Sequence, residues 1–375
     1  WVSFNNSCNR IAKNIMTEPN VSYISSLYGG FWNFGIKDFC YLVNPYFPPR
    51  AFTKSLELRF DELLRSYPST NWYISSLVAK TLELTDKEVV VGNGASELIS
   101  AITMRYVDNL AVSVPTFDEY INRAANQGKA TSLFHMGEDF TFDADQFIRH
   151  VRDCGANSAL IINPNNPTGT LVGQDSIDHI LESLRHLDLV ILDESFIDFS
   201  GSDPVPSAMN RLFEFPNLII LKSLSKAYGI PGLRLGYAAT SNRDVLANLR
   251  SDVPIWSINS LAQYFLEEMG DYHEQFLASC LAVRKATQTL YHGLQSVPYL
   301  YPYPSEANFV LCKILGSFTA SELTSQLYEQ HKIFINNCSR KISVDDQFVR
   351  IASRTTEENI ELVGVLRSLS DIKTR

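Results

Sequence analysis

The sequence predicts an α/β fold: a large domain with a mostly parallel sheet flanked by helices, followed by a smaller α+β C-terminal domain. Three observations carry this reading. Four short runs, Leu110–Val114, Ala159–Ile162, Leu189–Leu192 and Leu218–Leu221, are almost wholly apolar, as strands covered on both faces must be. Helical patterns stand between such runs, as parallel connections demand. After about residue 265 the texture changes to long helices with few strands.

Residues 1–45 are rich in Asn, Ser, Gly and aromatics and read as irregular structure, an N-terminal arm. Residues 46–265 read as the large domain. Ser55–Arg65 is amphipathic, with Leu56, Phe60, Leu63 and Leu64 to one side. Val89–Val91 is a strand that runs into Gly92-Asn93-Gly94, and Ser96–Val107 is a helix with Leu98, Ile99, Ile102 and Tyr106 at helical spacing. The strand from Leu110 ends at Pro115, and that from Ala159 ends in Asn163–Gly169. Asp175–Leu187 is a helix, the strand from Leu189 closes at Asp193-Glu194, and the strand from Leu218 ends at Lys222–Lys226. Residues 266–375 read as the small domain, with strands at Phe309–Cys312 and Phe348–Ala352.

Composition narrows the function classes. The 375 residues are 45% hydrophobic, enough for a large core, and Lys+Arg 32 against Asp+Glu 41 gives a net charge of -9. That balance argues against nucleic-acid binding as the main activity. The chain has no run of 18 apolar residues and no signal-peptide pattern at its start. The six cysteines form no CxxC pair and read as free thiols of a reducing cytoplasm. The seven histidines form no zinc motif, so no metal is expected. The chain begins at Trp1 rather than Met, which suggests trimming or an upstream fused domain, such as a nucleotidyltransferase of the same pathway.

Ligands of open α/β sheets bind beyond the carboxyl ends of the strands. Those ends carry Gly92–Ser96, Asn163–Gly169, Asp193-Glu194 and Ser223–Lys226. Gly94, Ala95 and Ser96 offer backbone amides at a helix start, either an anion site or an ordinary turn capped by Ser96. Ser223, Ser225, Lys226 and Arg234 make either a phosphate site with a Schiff-base lysine or a solvated basic turn. Asp193 needs a buried partner, and a protonated pyridine nitrogen is one; a helix-capping carboxylate is the other reading. Phe117 is either a stacking platform or a core residue.

With Gly92–Glu97, Pro115–Phe117, Asn163–Gly169, Leu192–Ser195, Ser223–Lys226 and Gly232–Tyr237 in this order, the chain resembles fold-type I pyridoxal-phosphate (PLP) enzymes of the class I/II aminotransferase family. Within the family it is similar to the histidinol-phosphate aminotransferases and threonine-phosphate decarboxylases. The resemblance spans about residues 28–368. It implies Lys226 as the lysine that joins the cofactor's aldehyde and carries the proton, and Asp193 at the pyridinium nitrogen. It implies Asn166 at the ring 3-oxygen, Phe117 on the ring face, and Gly94, Ala95, Ser96, Ser223, Ser225 and Arg234 around the phosphate. It also implies a homodimer in which Tyr67 reaches the neighbouring subunit's phosphate. Arg350, Arg354, Tyr28 and Asn44 are implied as substrate contacts.

The choice of reaction is less direct. Phe196, where many aminotransferases have a tyrosine, and the pair Arg350 and Arg354 lean toward the decarboxylase branch. Tyr28-Gly29-Gly30 in place of HGG, and Leu42 in place of an asparagine, depart from it. The leading expectation is therefore an aminotransferase of a small phosphorylated or phosphonate amine or amino acid, with a 2-oxo acid as possible co-substrate. A decarboxylase of an O-phospho-amino acid, of the phosphoserine or phosphothreonine type, is the alternative. A non-catalytic PLP-binding sensor is the reading of a different class.

Overall fold

A computed structural model describes residues 19–202, 205–316 and 318–373. The first part of the expected arm, residues 1–18, lies outside them. The strands among the described residues are β1 (Lys37–Phe39), β2 (Val89–Asn93), β3 (Asn109–Val114), β4 (Ala130–His135), β5 (Ser158–Ile162), β6 (Leu189–Asp193), β7 (Leu218–Ser223), β8 (Leu235–Ala239), β9 (Leu300–Pro302), β10 (Phe309–Ile314), β11 (Ile333–Asn337) and β12 (Phe348–Ala352).

Seven of them form one sheet in the order β2-β8-β7-β6-β5-β3-β4. The pairs from β4 through β7 are parallel, and β8 runs antiparallel to both β2 and β7. Because side chains alternate along a strand, each run feeds two cores. Ala159 and Ile161 of β5 join the helices Ala144–Asp153 and Gln174–Ser183 on one face. Leu160 and Ile162 join the helices Ala95–Tyr106 and Arg243–Asp252 on the other. Leu98, Ile99 and Ile102 bury the apolar stripe of the helix Ala95–Tyr106, each burial contributing roughly 1.5–3 kcal/mol. Both faces are thus covered, and every parallel strand delivers its carboxyl end to the same rim.

The second sheet has the order β1-β11-β12-β10-β9. Its strand β1 comes from the stretch read as an irregular arm: Lys37–Phe39 pairs in parallel with Ile333–Ile335, and Phe39 enters the C-terminal core. A helix of 22 residues, His273–Leu294, joins the two bodies. Phe276, Cys280 and Val283 at its start pack in the large core, and Leu290 and Leu294 at its end pack in the small one.

The helix expected over Ser55–Arg65 begins earlier, at Arg50, and buries Phe52 and Leu63, whereas Phe60 and Leu64 of the expected apolar side are exposed. The helix expected over Asp175–Leu187 ends at Ser183. The strands β4 and β8 were not anticipated. Strand β4 is an edge strand whose half-buried side chains give no clean alternation. Among the described residues, no helix is long and apolar enough to cross a membrane, and no group of His, Cys, Asp and Glu could hold a metal ion.

Candidate active site

A cavity of about 790 Å³ opens at the carboxyl rim of the large sheet, walled on its other sides by the N-terminal segment and the start of the last helix. At its base stands Asp193, the last residue of β6. Its Oδ2 accepts from Tyr120 Oη at 2.8 Å, and its Oδ1 accepts from Ser195 N at 3.0 Å and Ser195 Oγ at 2.5 Å. Burial still outweighs these bonds and raises the Asp193 pKa, so the carboxyl gains from a cationic partner. Tyr120 escaped the sequence reading. Its only signal there is an aromatic on the buried side of the amphipathic helix Glu119–Asn126.

Lys226 lies just past the end of β7, in the short helix Leu224–Ala227. The run holds two lysines, and the structure separates their roles. Lys222 is paired with Asp198 at 2.7 Å. Lys226 Nζ has no hydrogen-bond partner among the described residues and faces the cavity. Burial first, then Arg350 and Arg234, lowers its pKa to about 8. Desolvation is the larger cause, and the two guanidinium groups add to it.

At one end of the cavity the helix Ala95–Tyr106 presents its first amides beside Ser96, Ser223, Ser225 and Arg234. Gly94 precedes it at φ 73 and ψ 161, a backbone region essentially confined to glycine, and its bare Cα lets the Arg234 guanidinium lie where a Cβ would stand, 2.2 Å from Nη2. Arg234 itself adopts φ 57, a left-handed conformation costly for a side chain of its size and typical of functional sites. Ser225 Oγ is buried without a partner. A helix N-terminus, an orphan buried hydroxyl and a guanidinium in one recess fit an anion of phosphate size.

Asn166 is buried, and its Oδ1 accepts from Arg350 Nη1 at 2.6 Å; Arg350 Nη2 donates to the Cys40 carbonyl at 2.7 Å. Arg350, on β12, is 6% exposed, and its Nε has no partner. Phe117, 41% exposed, looks into the cavity. Tyr28, 84% exposed, lines the mouth with Trp32 and Lys37. Arg354 also lines it, but its Nε donates to Glu358 Oε1 at 2.9 Å and its Nη1 to the Asp38 carbonyl at 3.0 Å.

Four expected site residues, Gly94, Arg350, Asn44 and Tyr67, are not among those that line the cavity. Asn44 does not line the cavity. Its Nδ2 donates to the Ala227 carbonyl and Ser279 Oγ, both at 2.8 Å, its Oδ1 accepts from Tyr46 N, and its N donates to the Lys226 carbonyl at 2.9 Å. With its side-chain oxygen and nitrogen both engaged, it braces the Lys226 turn from behind. Tyr67 is 78% exposed, outside this chain's cavity, and packs on Trp256 with ring centroids 4.4 Å apart.

The chain belongs to the aminotransferase class I and II family, whose model matches residues 33–366. Members of this family are PLP-dependent and generally homodimeric. The chain is 34% identical over 348 residues to the CMP-5'-(3-aminopropyl)phosphonate synthase of Streptomyces rubellomurinus, a match covering 92% of this chain but 55% of that protein. It is 33% identical over 348 residues to an L-serine phosphate decarboxylase of Campylobacter jejuni, covering 89% of this chain and 88% of the relative. The crystal structure of histidinol-phosphate aminotransferase from Clostridium acetobutylicum superposes with a TM-score of 0.82 at 26% identity, covering 89% of this chain and 99% of that one.

Proposed function

We propose that this cavity takes PLP with Lys226 as its Schiff-base lysine, and that the enzyme removes the carboxylate of a small amino acid bearing a phosphate or phosphonate. The orphan Ser225 hydroxyl, the Gly94–Arg234 approach and the unpaired Lys226 amine support the fit of the cofactor. Ala95, Ser96, Ser223, Ser225 and Arg234 would hold its phosphate, Asp193 the ring nitrogen, Asn166 the 3-oxygen and Phe117 the ring face. Tyr67, exposed and away from this chain's cavity, would serve the partner subunit in a homodimer.

When bound, PLP supplies an electron sink for the pair left on the substrate's α-carbon. The protein's task is to decide which α-carbon bond is broken. The observation that carries our reading is the state of Arg350. Each of its terminal nitrogens makes a hydrogen bond within the chain, to Asn166 Oδ1 and to the Cys40 carbonyl, and Nε is buried without a partner. Arg350 does not line the cavity, so a substrate carboxylate meets no two-pronged grip from it while these bonds hold. Ile36, Tyr41, Val43 and Phe196 add an apolar lining that disfavours an ionised carboxylate relative to neutral carbon dioxide. Lys226 Nζ holds the proton that replaces the lost group. The likeness to a serine phosphate decarboxylase and to a phosphonate synthase supports the same reading and its anionic substrate.

Transamination, the leading expectation from sequence, retains its own support in the likeness to histidinol-phosphate aminotransferase. One experiment separates the two. The PLP-loaded protein is incubated with phosphoserine, phosphothreonine, histidinol phosphate and 2-aminoethylphosphonate, each with and without a 2-oxo acid. Carbon dioxide release that needs no oxo acid is the expected result. New amino acid formed only with the oxo acid would replace decarboxylation by transamination, and turnover of no panel member would count against a phosphate- or phosphonate-bearing substrate.

A further inference from the structure

The loop that carries Phe117 is gripped from the other domain. Lys341, in the turn between β11 and β12, donates from Nζ to the Thr116 carbonyl at 2.8 Å and to Asp118 Oδ2 at 2.8 Å. These two residues flank Phe117. The Lys341 side chain is 11% exposed and Asp118 is 44% exposed, so the ammonium is drawn under the loop rather than left in solvent. A surface pair of this kind contributes little by charge alone. Here a buried carbonyl is satisfied as well, and its loss would leave the Thr116 oxygen without that donor.

The same loop is tied to the segment bearing Asn166. Thr116 Oγ1 donates to Asn165 Oδ1 at 3.2 Å, and Asn165 Nδ2 donates to the Pro115 carbonyl at 2.9 Å. Asn166 in turn is held by Arg350. The turn makes a further contact with the large domain, Ser343 Oγ lying 2.7 Å from His135 Nδ1 at the end of β4. Two basic side chains, one in this turn and one on the strand after it, therefore cross to the large domain. Lys341 reaches the Phe117 loop and Arg350 reaches Asn166.

We infer that Lys341 is a positioning residue, which clamps the loop Pro115–Asp118 to the small domain and makes the placement of Phe117 depend on the turn that leads into the Arg350 strand. An anion that draws Arg350 toward itself then acts on the same body that holds the aromatic ring. This rests on the proposed role of Phe117 as the cofactor's platform, so the test examines the two separately.

In cofactor-free protein, Lys341→Ala is expected to speed amide hydrogen exchange at Phe117 and Asp118 while Ile161 and Leu192 in the sheet exchange as in the parent. In PLP-loaded protein it is expected to shift the absorbance of the bound cofactor and to lower kcat by about tenfold to a hundredfold, with KM changed by less than about threefold. Lys341→Arg should restore most of both. Unchanged exchange and absorbance in Lys341→Ala would overturn the inference. An absorbance shift in Phe117→Leu with none in Lys341→Ala would sink the clamp alone; no shift in Phe117→Leu would sink the platform. Asp118→Asn, at the exposed end of the contact, repeats the test with a smaller effect should Lys341→Ala not fold.

Discussion

At the ring end of the cavity the groups that matter stand at or just beyond the ends of adjacent parallel strands, Asp193 on β6 and Ser223 and Lys226 at the end of β7. The two arginines proposed for the substrate, Arg350 and Arg354, come from β12 and the turn after it, and they meet Cys40 and Asp38 of the N-terminal segment. The first set leaves bonding capacity open: Lys226 Nζ faces the cavity unpaired and Ser225 Oγ has no partner. The second set is largely satisfied within the chain, by Asn166, Glu358 and backbone carbonyls. In the proposed reading a cofactor enters a site with bonding capacity open, whereas a substrate anion must take over bonds that already exist. Exchange of one hydrogen bond for another yields a net of only about 0.5–1.5 kcal/mol. On that proposal the tight, general part of recognition belongs to the ring end and the selective part to the mouth.

The most severe way to break this contrast is Lys226→Ala. Turnover in the carbon dioxide assay should fall by at least about 10³-fold, the loss of both the covalent lysine and the proton carrier. Retained turnover would remove Lys226 from the reaction. A pH series sharpens the same point. Burial, Arg350 and Arg234 hold Lys226 near 8, against an ordinary value of 10.5. The amine is therefore protonated below about pH 8 and free above it. The rate at which cofactor-free protein takes up PLP should rise about tenfold per pH unit below 8 and level off beyond. Because the folded value lies below the unfolded one, the unfolded chain binds the extra proton between about 8 and 10.5. This group's contribution to stability accordingly rises with pH across that window. A flat uptake profile from pH 6 to 8 would contradict the lowered value.

Tyr120→Phe tests whether Asp193 needs its supporting hydroxyl. The variant leaves Asp193 Oδ2 without the Tyr120 bond, and denaturant unfolding should show a loss of about 1–3 kcal/mol. A drop in kcat of about tenfold should accompany it; an unaltered midpoint and kcat would make the contact incidental. The smallest effect is expected at the mouth. Arg354 and Glu358 are each about one-third exposed, and their pair contributes less than about 1 kcal/mol. Glu358→Gln frees Arg354, and KM for an anionic substrate should fall by about twofold to fivefold, whereas Arg354→Ala should raise it. The same KM in both variants would show that Arg354 serves only its intramolecular partners.

The contrast also explains what was legible beforehand. Parallel strands deliver their carboxyl ends to one rim, so a local motif after each strand is enough to assemble Asp193, Asn166, Ser223, Lys226 and Arg234. No long-range knowledge was needed beyond the rule that adjacent strand ends share a rim. The mouth has no such rule. That Arg354 spends its Nε on Glu358, one helical turn ahead, depends on the rotamers set by β1 and the last helix. That Asn44 braces Lys226 instead of facing substrate depends on how Asn44–Phe47 lies against Gly229, where a Cβ would come within 2.0 Å of the Phe47 carbonyl oxygen.

The amino-acid sequence by itself determined the alternation of apolar strands and helices, the parallel sheet and the cofactor-facing loops, because each is encoded within a few residues of its own strand. Tertiary structure decided the rest. It placed Tyr120 under Asp193, turned Lys37–Phe39 from a supposed arm into a strand of the small sheet, and brought Lys341 and Arg350 across the domain boundary. Those contacts join residues up to about three hundred positions apart, and such pairs are selected by packing and by the satisfaction of buried polar groups, neither of which leaves a local periodicity to read.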